Sequence, residues 1–165
     1  MGLQTPEAPA ALLIERVAVG PARIEALVRV AAGAPMRTSE VPGLTEAALA
    51  LLPGLRRHRC ECGSPHGIAA ELADTEITHL LEHVALELMA LSGSPRTLAG
   101  ETRWDFATDG RGVFRVELDY DDDLVALGAL REAMTLLVSM LEGVADAAGV
   151  DGAVARLVEV RGPRV

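Results

Sequence analysis

The stretch Thr75-Glu-Ile-Thr-His-Leu-Leu-Glu-His-Val-Ala-Leu-Glu-Leu88 decides how the rest of the chain must be arranged. Its apolar residues Ile77, Leu80, Leu81, Val84, Ala85 and Leu88, followed by Met89 and Leu91, leave little of the surface polar and predict a helix buried on most sides. Asp74 or Thr75 can cap its start, Glu76 suits the positive end of the helix dipole, and Gly93 with Pro95 ends it. Polar groups inside such a helix need partners. At about 100° per residue, His79 and His83 stand one turn apart on one face, with Glu82 beside them.

His79, Glu82 and His83 have the H-x-x-E-H spacing of inverted zincins, the pattern of a metallopeptidase-like hydrolase. Two neutral imidazoles can grip one Zn2+, while Glu82, not itself a ligand, takes a proton from the water that the metal activates. The apolar surround excludes water and strengthens a Lewis acid. The structural alternative satisfies both histidines with carboxylates such as Glu82, Glu76 or Glu87. A catalytic zinc usually has three protein ligands, and the third stays open. Glu87 lies one turn beyond His83, Glu132 sits on a second long helix, and Glu101 and Asp105 lie on the neighbouring connection and strand.

A second cluster, His58-x-Cys60-x-Cys62 followed by His66, lacks the spacing of a zinc ribbon. On a strand, His58, Cys60 and Cys62 would share a face at steps of about 7 Å, wide for joint ligation. The expectation is packed thiols and a hydrogen-bonded His58. Asp121, Asp122 and Asp123 read as acid at a helix start.

Composition sets the outer limits. The 165 residues suit one domain with a real core, and residues 1–10, with Pro6 and Pro9, read as a flexible leader before an ordered domain over 11–165. The net charge of -9, with all fifteen basic residues Arg, argues against a nucleic-acid partner and tolerates a cationic substrate. The best apolar run, Ala133 to Leu141, stops at Glu142, short of the roughly 18 residues that cross a bilayer, so no membrane is expected. There is no basic n-region of a signal peptide, and Cys60 and Cys62 are too close for a useful structural disulfide, so a cytoplasmic setting fits.

Alternation predicts strands over Ile14 to Val19 and Ile24 to Val30, pairing as a hairpin across Gly20-Pro21. A short helix follows over Thr45 to Leu52, then a brief strand over Arg56 to Cys62. Asp109-Gly110-Arg111-Gly112 signals a hairpin between Arg103 to Thr108 and Gly112 to Tyr120. A long helix runs from about Asp123 to Ala148, and Gly152 to Val160 closes the chain as a strand. The order β-β-α-β-α-β-β-α-β is an α+β single domain, a mixed or antiparallel sheet packed by two long helices.

The runs Leu52-Pro-Gly-Leu-Arg-Arg-His-Arg-Cys60, Thr75-x3-His79-x2-Glu82-His83-x-Ala85-Leu86-Glu87-Leu88, Leu91-Ser-Gly-Ser-Pro95 and Gly112-Val-Phe-Arg-Val116 with Tyr120 resemble the N-terminal domain of cyanophycin synthetases over roughly residues 12 to 145. The resemblance implies a free-standing domain without ligase activity that binds cyanophycin, a poly-aspartate carrying Arg on each side chain, or a related Arg-containing peptide. It implies a peptidase-type site with His79 and His83 as ligands and Glu82 as base, and a substrate contact at Arg103. A non-catalytic cyanophycin-binding or assembly module is the alternative, and a homo-oligomer or association with a separate ligase are the further arrangements it suggests. The chain departs from the family pattern at Asp74, at Gly67-Ile68, in a longer Arg96 to Arg111 segment, and at Gly128, where many relatives carry Glu.

Overall fold

Strands Leu12–Val19 (β1) and Arg23–Val30 (β2) form the expected antiparallel hairpin, closed where the Gly20 amide donates to the Arg23 carbonyl at 2.8 Å. The structure is a computed structural model and describes residues 10–60 and 66–163, so the leader over 1–9 lies outside the described residues. Gly100–Arg103 (β3) and Val113–Asp119 (β4) complete a four-stranded sheet in the order β1-β2-β4-β3, antiparallel throughout. Ile24, Ala26, Val28, Phe114, Val116 and Leu118 are buried at alternate positions and pair across β2 and β4, giving the sheet one apolar face.

That face is covered by helices Ile77–Leu91 (α3) and Asp123–Leu141 (α5), with Ala147–Arg161 (α6) behind them. Shorter helices Leu44–Leu51 (α1), Ile68–Ala73 (α2) and Phe106–Asp109 (α4) fill the edges. Leu80, Leu81, Val84 and Leu88 on α3 have no solvent exposure, and each such side chain contributes about 1.5–3 kcal/mol by leaving water. The fold is an α+β domain as expected.

Several elements differ from the sequence reading. The strand expected over Arg56 to Cys62 does not form over its described residues: Pro53–Arg57 is a 3-10 helix, residues 58–60 are irregular, and Glu61 and Cys62 lie outside the described residues. Gly152 to Val160 is helical, because Val150, Ala153 and Leu157 recur at helical spacing and bury against α5. Gly128 admits this packing, since a Cβ there would stand 2.8 Å from Leu157 Cδ2. The β3–β4 pair is offset from the predicted hairpin, with α4 inserted over 106–109. Trp104, Phe106 and Phe114 stack together there, with ring centroids 5.4–6.3 Å apart.

The start of α3 is held by tertiary contacts instead of a side-chain cap. Glu76 is the N-cap, and the Ile77 and Thr38 amides donate to Met36 and Thr75 carbonyls at 2.9 and 2.8 Å. Asp74 is taken up by Arg37 and Ser39 at 2.7 and 2.6 Å, which leaves Thr75 to turn its hydroxyl toward His79. On α5, Asp122 caps by accepting from the Val125 amide at 3.1 Å, as an acidic start predicts. With 19 residues and a mean hydropathy of 1.7, α5 is long and apolar enough to cross a membrane, contrary to the reading of the apolar runs. It packs between α3 and α6 within the fold.

Candidate metal centre

Cys60, His79 and His83 place one donor atom each within 4.8 Å of one another, on the wall of a cavity of about 980 Å³. The two imidazoles come from successive turns of α3, and Cys60 reaches them from the irregular segment behind Pro53–Arg57. His79 Nε2 lies 3.0 Å from His83 Nε2 and 3.5 Å from Cys60 Sγ. The sequence reading kept the cysteine cluster apart from the helix motif. The structure joins them, with His58 Nδ1 3.0 Å from His83 Nδ1.

The hydrogen-bond network orients the imidazoles. Burial alone would raise the Glu87 carboxyl, but the hydrogen bonds from His58 and Arg96 outweigh it and hold it below its ordinary range. Glu87 therefore accepts from His58 Nε2 at 2.7 Å and from Arg96 at 2.9 Å. With Glu87 at His58 Nε2, His58 Nδ1 meets His83 Nδ1 at 3.0 Å, which leaves His83 Nε2 facing His79 and the cavity. Thr75 Oγ1 lies 2.8 Å from His79 Nδ1 and 3.2 Å from the Glu76 carboxylate, and so engages the His79 nitrogen that points away from Cys60. His79 Nε2 therefore faces His83 Nε2. Burial lowers the basicity of His79, and burial, then His79 and His58, pushes His83 down to about 3, so neither imidazole is protonated near neutral pH. The two Nε2 atoms, 3.0 Å apart with a sulfur beside them, would each give a lone pair to a cation seated among them.

The donor set of two nitrogens and one sulfur fits Zn2+, and Cys60 would bind as a thiolate. Cys60 is disulfide-bonded in this structure, so that ligand requires reduction. The expectation that the cysteines have no useful disulfide is corrected at Cys60, and Cys62 lies outside the described residues.

Glu82 lines the same cavity, where it accepts from the Thr102 hydroxyl at 2.6 Å. Burial raises its carboxyl to about 7, against the opposing hydrogen bond from Thr102. Gly100 makes room for it, since a Cβ there would lie 2.7 Å from Glu82 Cγ and 2.9 Å from the Glu117 carbonyl.

The carboxylates offered as third ligands sit elsewhere. Glu87 reaches the histidines only through His58, packed where a Cβ on Gly54 would meet its Oε1 at 1.8 Å. Glu132 pairs with Arg156 at 2.7 Å and Arg131 at 3.3 Å, away from the cavity lining. Asp105 caps α4 through the Ala107 and Thr108 amides, while Glu101 stands on the cavity rim. Arg103 pairs with Glu117 and Glu25 and does not line the cavity. Cys60 and Thr102 are the site residues that sequence reasoning missed. The one signal for Cys60 was the cluster of soft ligands from His58 onward.

The profile of the family described as the cyanophycin synthase-like N-terminal domain matches residues 27–142. The chain is 33% identical over 106 residues to a cyanophycin synthetase of Synechocystis sp., covering 64% of this chain and 12% of that protein. It is 32% identical over 106 residues to those of Crocosphaera subtropica and Trichormus variabilis. The chain spans only about 12% of the length of these curated relatives.

Proposed function

Because this chain belongs to the family of cyanophycin synthase-like N-terminal domains, we propose that it is a zinc-dependent, peptidase-type domain that binds and hydrolyses cyanophycin, or a related Arg-bearing peptide with an acidic backbone. The observation that carries the reading is the convergence of the His79 and His83 Nε2 atoms with the Cys60 sulfur, on the wall of a cavity that Glu82, a carboxylate poised near neutrality, also lines.

Cys60, His79 and His83 would hold the ion, which when bound supplies Lewis acidity to a water molecule and to the scissile carbonyl. Glu82 takes the proton from the attacking water. A carboxyl near 7 suits that task, because a base is most effective when its pKa lies close to the working pH. Thr102 fixes which Glu82 oxygen is engaged and leaves the other for the proton. The same carboxyl then returns the proton to the departing amine. His58 and Glu87 act as positioning residues, holding His83 in the tautomer that binds metal.

The cavity walls support a substrate with both charges. Glu71, Glu76 and Glu101 offer carboxylates to guanidinium groups, while Arg57 and Arg59 have no ion-pair partner among the described residues and can receive carboxylates. No Lys and few unpaired cations suit a nucleic acid poorly.

The test uses reduced protein loaded with one equivalent of zinc. Cleavage of cyanophycin that Glu82→Gln abolishes without loss of bound zinc supports the reading. A zinc-loaded protein that binds the polymer but leaves it intact reduces the function to binding.

A further inference from the structure

From the open edge of the sheet beside the metal centre, we infer that β3 is the substrate template: an extended peptide main chain pairs with Gly100 and Thr102 as a fifth strand. The inference rests on the peptidase reading and deepens it by naming how the substrate is held. In the order β1-β2-β4-β3, the far side of β3 carries no strand among the described residues. The Asp119 amide donates to the Ala99 carbonyl at 2.8 Å, so the 99/119 pair is hydrogen-bonded, as is Glu101/Glu117 two residues on. The alternate pairs, Gly100/Leu118 and Thr102/Val116, then turn their β3 amides and carbonyls outward. Neither Gly100 nor Thr102 has another backbone partner among the described residues.

Those two residues are also the ones that touch Glu82, Thr102 by its hydroxyl and Gly100 by close approach. The open donors and acceptors therefore run alongside the proposed base, spaced about 7 Å apart as a strand requires. Edge strands are kept short or charged because they recruit other chains, and β3 is both: four residues with Glu101 and Arg103 exposed. Its inner residues stay open over the cavity, where main-chain pairing holds any extended peptide and side-chain pockets choose among them. Glu71, Arg57 and Arg59, which line the same cavity and carry no ion pair among the described residues, complement an occupant with a guanidinium and a carboxylate on each repeat. We commit to such an occupant, an α-linked aspartate oligomer bearing Arg on its side chains.

The experiment measures amide hydrogen exchange by NMR on the full chain carrying Glu82→Gln, reduced and zinc-loaded, with and without a saturating synthetic oligomer of that chemistry. Exchange at Gly100 and Thr102 is expected to slow at least tenfold. Glu101 and Arg103, whose amides already face β4, should change little. An oligomer that binds while leaving Gly100 and Thr102 unchanged overturns the template and leaves the peptidase reading standing. Absence of any binding overturns both.

Discussion

His83 presents Nδ1 to Nδ1 of His58 at 3.0 Å, and that contact decides which nitrogen of His83 faces the cavity. Because Glu87 holds the other side of His58 at 2.7 Å, a charge outside the cavity controls a lone pair inside it. His58→Ala removes the relay while leaving Cys60, His79 and His83 in place. Zinc affinity should fall about 10–100-fold, the usual effect of losing an outer-shell partner. Competition against a chromophoric chelator reads this directly, and unchanged affinity would separate His58 from the site.

Glu82 makes stability depend on pH in a defined direction. Its folded pKa of about 7 lies above the ordinary 4.5, so the folded state binds the extra proton between those values and stability declines as pH rises through that window. In metal-free protein, Glu82→Gln removes the ionisation and should add on the order of 2 kcal/mol at pH 8, discounted from the full shift. At pH 4, below both values, both side chains are neutral and the gain should all but vanish. Urea melts at the two pH values check it, and a gain of equal size at both would assign the effect to packing.

Gly100→Ala tests the close approach of β3 to Glu82. The added methyl would meet the Glu117 carbonyl at 2.9 Å, which cannot yield as a side chain can. A loss of about 1–3 kcal/mol is expected, together with reduced cleavage, because Glu82 must shift to make room. Full stability and full activity would show that the strand adjusts freely.

Thr78 has no solvent exposure, and its hydroxyl is the buried side-chain atom without a hydrogen bond among the described residues. Thr78→Val keeps the shape and removes an unpaired polar group, so stability should rise by about 1 kcal/mol. A denaturation midpoint that falls would reveal a partner for the hydroxyl.

What the sequence made legible was what local period encodes. Apolar residues around the whole of α3 announced a buried helix, and alternation in β1, β2 and β4 announced the sheet. Val154, Val158 and Val160 misled, because these β-branched residues imitate a strand until Val150, Ala153 and Leu157 are counted together at helical spacing. His79 and His83 were visible because one helix fixes their spacing. Cys60 and Thr102 were not, since their approach to α3 spans 19 and 20 residues and depends on how an irregular segment and an edge strand fold back. Glu87 and Glu132 were plausible ligands by position on helices, yet each is claimed by arginine, which helical spacing alone does not reveal.

The metal centre proposed for this domain is a zinc ion held by one sulfur and two imidazoles. X-ray absorption at the zinc edge on reduced protein with one equivalent of metal reads that shell. One sulfur at about 2.3 Å and two nitrogens at about 2.0–2.1 Å are expected, with the sulfur lost in Cys60→Ser. A shell of oxygen and nitrogen alone, or protein that retains no zinc when reduced, would contradict it.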